Sequence, residues 1–129
     1  MPVEIQMLAW GTLLGVAQLF LAAALMTRQR GLEWNASARD GDPPPLTGVA
    51  ARADRAFRNF LETFPFFAAA AVAVTATGSG DTGTALGAQL WFWARVLYVP
   101  LYLAGIPYVR SLVWGVALVG MLLVVLGLI

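Results

Sequence analysis

Between Arg52 and Pro65 the chain reads Arg-Ala-Asp-Arg-Ala-Phe-Arg-Asn-Phe-Leu-Glu-Thr-Phe-Pro, a cluster of guanidinium, amide and carboxylate groups that opens an apolar segment. With Arg55 at zero and a helical step of about 100° per residue, Arg52 lies near about +60°, Asn59 near about +40° and Glu62 near about −20°. Arg58 sits at the edge of this stripe, near about −60°. Guanidinium groups bind carboxylates in pairs of parallel hydrogen bonds, so a stripe rich in arginine points to an anionic ligand. Glu62 is placed to hold an ammonium group on the same ligand. Further along, Arg95, Tyr98 and Tyr102 recur at i, i+3 and i+7, one face of a helix. Arg110 stands at the mouth of the last apolar run.

The segments that carry these groups are those of a membrane protein. Hydrophobic residues make up 60% of the 129 positions and charged residues 12%, about half the share of an ordinary soluble domain. Apolar runs predict an all-α, single-domain bundle of four transmembrane helices, over about residues 3–27, 49–77, 84–105 and 109–129. The N-terminal run carries Glu4, lacks a basic leader and is too long for a signal peptide, so it reads as a retained first helix. Residues 28–48 read as a polar loop stiffened by Pro43, Pro44 and Pro45, with Thr47 as the cap of the next helix. Pro65 is expected to kink the second run. Thr77 to Gly83 and Ile106-Pro107 mark the remaining turns. Gly11 and Gly15 form a GxxxG, a close-packing signal.

Arg28, Arg30, Arg39, Arg52 and Arg55 flank the first loop, and the opposite side offers only Glu4 and Asp81. The positive-inside bias then puts that loop and the Gly105–Arg110 turn in the cytoplasm, with both termini outside. Arg55, Asn59, Glu62, Arg95, Tyr98, Tyr102 and Arg110 fall at one depth, as the lining of a polar cavity open to the cytoplasm. Its apolar walls would admit a lipophilic second molecule from the bilayer.

Cysteine and histidine are both absent, which removes thiol nucleophiles, thiolate or imidazole metal sites and any Ser/His/Asp triad; no metal is expected. A net charge of +1 gives no reason to expect nucleic acid. The structural alternative is that Arg55 with Glu62, Arg95 with Glu62, or Asp54 with Arg58 simply pair and hold an assembly together. Tryptophans Trp91, Trp93 and Trp114 read as packing or lipid contacts. Nothing resembles the inverted repeats or paired broken helices of a transporter.

Residues Arg55 to Pro65, with Arg-Ala-x-x-Asn-x-x-Glu followed by an aromatic residue and proline, resemble the hallmark of the MAPEG family, membrane-associated proteins in eicosanoid and glutathione metabolism. The run Ala94 to Leu103 and then Val109-Arg110-Ser111 are similar to that family's third helix and the start of its fourth. The resemblance implies a homotrimer that binds glutathione between neighbouring subunits near the cytoplasmic face. Arg55, Asn59 and Glu62 would contact glutathione, with Arg95, Tyr98 and Tyr102 helping to line the site. Arg110 would be the catalytic residue, stabilising the glutathione thiolate for attack on a lipophilic electrophile or hydroperoxide. Thr63 stands where some eicosanoid-forming members have tyrosine, and Tyr98 where some have histidine. The implied protein is therefore a bacterial-type member of the inner membrane, a glutathione transferase or peroxidase. The alternative is a non-catalytic membrane protein that binds an anionic ligand or serves in membrane assembly.

Overall fold

A computed structural model describes residues Met1–Ile129. The chain is all helical: α1 Val3–Arg30, α2 Leu32–Ala36, α3 Gly48–Ala76, α4 Thr82–Leu103 and α5 Tyr108–Leu126. Three of these, α1, α3 and α5, are long and apolar enough to cross a membrane. Helix α4 spans 22 residues, about 33 Å at 1.5 Å per residue, and is not among these three. It carries Gln89, Arg95, Tyr98 and Tyr102, and it packs against α1, α3 and α5. Three of its polar side chains are turned toward protein, Thr84, Arg95 and Tyr98, while Gln89 is exposed.

The helix ends follow local chemistry. Helix α3 closes in a Schellman arrangement, with Gly78 at φ +67° and Ser79 N–H donating to Val74 O at 3.0 Å. Helix α4 starts in a capping box, where the Asp81 carboxylate accepts from Thr84 N–H at 2.8 Å and the Thr84 hydroxyl accepts from Asp81 N–H at 2.8 Å. Two expectations need correction. The loop over 28–48 is not wholly irregular, since α1 runs on to Arg30 and α2 follows at Leu32. Thr47 precedes α3, yet its hydroxyl makes no cap. Its backbone is instead clasped by the Gln29 amide, which donates to Thr47 O at 2.8 Å and accepts from Thr47 N–H at 3.1 Å. Pro65 lies inside α3, which continues through it as one helix; the ring sits on the exposed side and its missing N–H removes a single ladder bond.

Packing sets the rotation of α3. Its buried face is Ala50, Ala53, Ala56, Phe60, Phe67, Ala70, Ala71 and Val74, at helical three- and four-residue spacing. The opposite face is the polar stripe, so burying the alanines aims Arg55, Asn59 and Glu62 outward. In a bilayer, lipid tails are as apolar as leucine, so close van der Waals packing rather than water exclusion holds such helices together. Trp91 supplies the centre: it stacks on Phe67 with ring centroids 3.9 Å apart and contacts Phe60 and Phe64 at 5.9 and 5.8 Å. A Cβ on Gly11 would come 2.8 Å from the Trp91 ring, and one on Gly15 would come 2.9 Å from Phe60. The first GxxxG is thus the track on which α1 lies against this aromatic cluster. Gln18 of α1 is also buried, with no partner for either end of its amide.

Candidate functional site

Helices α3, α4 and α5 enclose a cleft of ≈ 460 Å³ lined by Arg55, Arg58, Asn59, Glu62, Tyr98, Tyr102, Arg110, Ser111 and Trp114. Each helix delivers its residues at successive turns: Arg55, Arg58, Asn59 and Glu62 from α3, Tyr98 and Tyr102 from α4, Arg110, Ser111 and Trp114 from the first two turns of α5. Three guanidinium groups face one carboxylate, a surplus of two positive charges. The volume lies within the range of about 300–1,000 Å³ usual for small-molecule sites.

Tyr102 joins the three walls. The Arg110 guanidinium lies over its ring, 4.5 Å from the centroid, and Arg55 Nε donates to its hydroxyl at 3.3 Å. The Tyr98 ring meets Tyr102 edge to face at 5.5 Å. A cation over an aromatic face is held by the ring quadrupole, which orients Arg110 without neutralising it. Glu62 is exposed and makes no ion pair. The single salt bridge in the chain is Arg58–Asp54 at 3.2 Å, one turn apart on α3. Its Arg58 side chain is 73% exposed, so the pair is weak and leaves that cation available.

Six of the seven residues expected from sequence line the cleft, and Arg95 does not. Arg95 is buried behind the wall at 1% exposure, lies 4.5 Å over the Tyr98 ring, and donates from Nη1 to Asn59 Oδ1 at 2.9 Å. Its partner is therefore Asn59, not Glu62, and it fixes which face of the Asn59 amide the cleft sees. Arg52 also leaves the stripe: its Nε donates to Leu103 O at 2.8 Å, closing the last turn of α4. Arg58, at the edge of the helical wheel, takes a place on the wall in its stead. Ser111 and Trp114 line the cleft although the sequence assigns neither to the site, Ser111 being read only within the Val109-Arg110-Ser111 motif and Trp114 as a packing or lipid contact. A signal was available for Trp114, which follows Arg110 at i+4 on the same helix face. Of the other tryptophans, Trp91 is core and Trp93 is exposed.

An all-helical membrane protein with an arginine-rich cleft among three of its helices is the class these features define. The sequence model of the MAPEG family matches residues 7–129, nearly the whole chain, and the protein belongs to that family. Comparison with curated proteins and with solved structures finds no match.

Proposed function

We propose that the cleft binds glutathione and that the protein is an integral membrane glutathione transferase or peroxidase acting on a lipophilic second substrate. The observation that carries this reading is Arg110 held over Tyr102 in the same cleft that presents Arg55, Asn59 and Glu62 from α3. Glutathione in its thiolate form carries two carboxylates, one ammonium and one sulfur anion. Its net charge of about −2 complements the surplus of the cleft. Arg55 and Arg58 take the carboxylates, Glu62 takes the ammonium, and the Asn59 amide, pinned by Arg95, contacts the peptide backbone.

Arg110 is then the catalytic residue. A thiol of pKa about 8.5 is mostly protonated at neutral pH, and a permanent cation beside it favours the anion. The thiolate sulfur attacks an electrophilic carbon, forming an S–C bond as the leaving group departs with its electron pair. With a hydroperoxide it attacks the distal oxygen: an S–O bond forms, the O–O bond breaks, and the alkoxide takes up a proton to leave as an alcohol. Family membership supports the glutathione-related chemistry.

The four long helices all cross the membrane in this reading, α4 shielded by the others, with both termini outside and the cleft facing the cytoplasm of a bacterial inner membrane. Arg55, Arg58 and Glu62 are exposed on the flank of a single chain. Charges facing lipid cost about 2.5–3.5 kcal/mol each on insertion scales, which favours a homotrimer whose neighbouring copies close the cleft. The whole chain forms one such domain.

The test is calorimetry and ultraviolet difference spectroscopy on purified protein in detergent. Wild type is expected to bind glutathione and to show thiolate absorbance that Arg110→Ala abolishes. Absence of binding at millimolar glutathione rejects the reading. Binding without turnover of any electrophile or hydroperoxide makes the protein a binding module instead.

A further inference from the structure

Directly below the cleft, deeper along the same α3–α5 seam, lies a second and much smaller chamber. Its walls are Thr63 of α3, Trp91 and Arg95 of α4, and Trp114, Ala117, Leu118 and Met121 of α5. Trp114 belongs to both compartments and forms the partition between them. The free space is ≈ 10 Å³, about what one water molecule needs.

The chamber holds the least satisfied charge in the protein. Arg95 is 1% exposed, and while Nη1 reaches Asn59, neither Nε nor Nη2 has a hydrogen-bond partner. No carboxylate pairs with it, the one salt bridge being Arg58–Asp54. A second copy of the chain cannot supply the missing acceptor, because these nitrogens lie inside the bundle and not on its surface. An uncompensated guanidinium in a membrane interior is costly, and protein retains such a group where something binds it. Thr63 adds a second polar group: its hydroxyl reaches Phe60 O only at 3.4 Å, the long limit of a hydrogen bond, and is free to engage another partner. The remaining walls are apolar.

We infer that this chamber is a seat for a single oxygen acceptor, the oxygen-bearing end of a lipophilic carbonyl or hydroperoxide, whose place a water takes otherwise. The unpartnered Nε and Nη2 of Arg95 donate to that oxygen, Thr63 flanks it, and Leu118 and Met121 give the apolar chain its contacts. Naming this molecule as the second substrate rests on the proposed function; the seat itself does not. It makes the protein prefer ligands with a terminal oxygen acceptor over apolar ones of equal length, a distinction the apolar walls alone make only weakly.

Trp91 and Trp114 report on it in protein whose Trp10, Trp34 and Trp93 are replaced by phenylalanine. This protein in detergent micelles is titrated with 2-decanone, whose carbonyl quenches indole fluorescence, alone and with decane, which carries no quenching group, as competitor. The ketone is expected to quench saturably and decane not to relieve the quenching. Ala117→Leu, which fills the chamber without touching a polar group, is expected to weaken the ketone at least tenfold. Arg95→Met is expected to do the same, and the filling variant keeps the test open if loss of Arg95 impairs folding. Unsaturable quenching by the ketone means the chamber holds water only and overturns the inference. Relief of the quenching by decane at equal concentration, or an Ala117→Leu variant that binds the ketone as wild type does, overturns it as well. Glutathione calorimetry on the same samples separates the two readings. A wild-type protein that seats the ketone but binds no glutathione removes the proposed function and leaves the seat standing.

Discussion

The Arg110 guanidinium rests 4.5 Å above the centre of the Tyr102 ring, so an aromatic side chain of α4 sets the position of a cation on α5. The same residue accepts from Arg55 of α3 through its hydroxyl at 3.3 Å. Ring and hydroxyl therefore do separable work. Tyr102→Phe keeps the ring and is expected to leave the bound thiolate in place while weakening glutathione a few-fold through a mobile Arg55. Tyr102→Leu removes a cation–π contact of about 0.5–2 kcal/mol. With Arg110 less well held, the pKa of the bound thiol rises by about 0.5–1.5 units and the thiolate fraction at neutral pH falls. A pH titration of thiolate absorbance on both variants checks this; identical curves for Phe and Leu would contradict the positioning role.

Asn59 carries a second load, because Arg95 spends its only satisfied hydrogen bonding on it, at 2.9 Å across the α3–α4 contact. Asn59→Ala leaves a buried guanidinium with no hydrogen-bond partner. The expected loss is about 1.5–3 kcal/mol of stability, measured as the midpoint of thermal unfolding in detergent. Asn59→Asp supplies a carboxylate to Arg95 and is expected to keep stability but to weaken glutathione, since it subtracts positive charge from the cleft. Equal glutathione affinity in the Asp variant would show that the amide does not face the ligand.

The sequence made the bundle legible because three runs are apolar enough to span a bilayer and the breaks between them carry glycine or proline with plain turn chemistry. Family membership was legible from Arg55, Asn59 and Glu62 at fixed spacing, and the family match over residues 7–129 agrees. What a helical wheel could not give was the direction of long side chains. Arg52 and Arg58 lie about equally far from the stripe's axis, yet Arg52 turns back to Leu103 O and Arg58 turns into the cleft. Which one leaves depends on where α4 ends, a tertiary fact. Thr47 has the right type for a cap, but the Gln29 amide, 18 residues away, competes for its backbone. Trp114 reads as an apolar residue in an apolar helix, and only the fold shows that one edge of it divides two compartments.

The long α4–α5 contact depends on a pair of glycines. A Cβ on Gly87 would lie 2.5 Å from Gly120 O, and a Cβ on Gly120 would lie 2.5 Å from Gly87 O. Backbone cannot yield as a flexible side chain can, so Gly120→Ala pushes the two helices apart. The expected cost is about 1–3 kcal/mol or more, as for overpacking of a filled core. Because α5 carries Arg110, the same shift moves the cation from its ring, and thiolate absorbance is expected to fall along with the unfolding midpoint. Gly115, where a Cβ meets nothing within 4 Å, is the control: Gly115→Ala is expected to leave both unchanged.

At the far end of the bundle, Glu4 is buried at 5% exposure and its Oε1 accepts from the Thr84 hydroxyl at 2.5 Å. That contact ties the first turn of α1 to the first turn of α4. The same hydroxyl completes the α4 capping box by accepting from Asp81 N–H at 2.8 Å. A single hydroxyl proton cannot serve both Glu4 and Asp81 O, which lies at 3.0 Å, and the shorter bond to the carboxylate takes it. Thr84→Val keeps the shape and the Asp81 carboxylate's bond to Thr84 N–H, but it strands a buried carboxylate and one N-terminal donor. The expected loss is about 2–3 kcal/mol, and Thr84→Ser, which retains the hydroxyl, is expected to lose less than about 1 kcal/mol. Because Glu4 and Thr84 lie at the opposite end from Arg110, glutathione affinity should not follow the change in the unfolding midpoint. Equal stability of the Val and Ser variants would mean that the Glu4–Thr84 contact adds nothing to the hold that the Gly11–Trp91 and Gly15–Phe60 contacts have on α1.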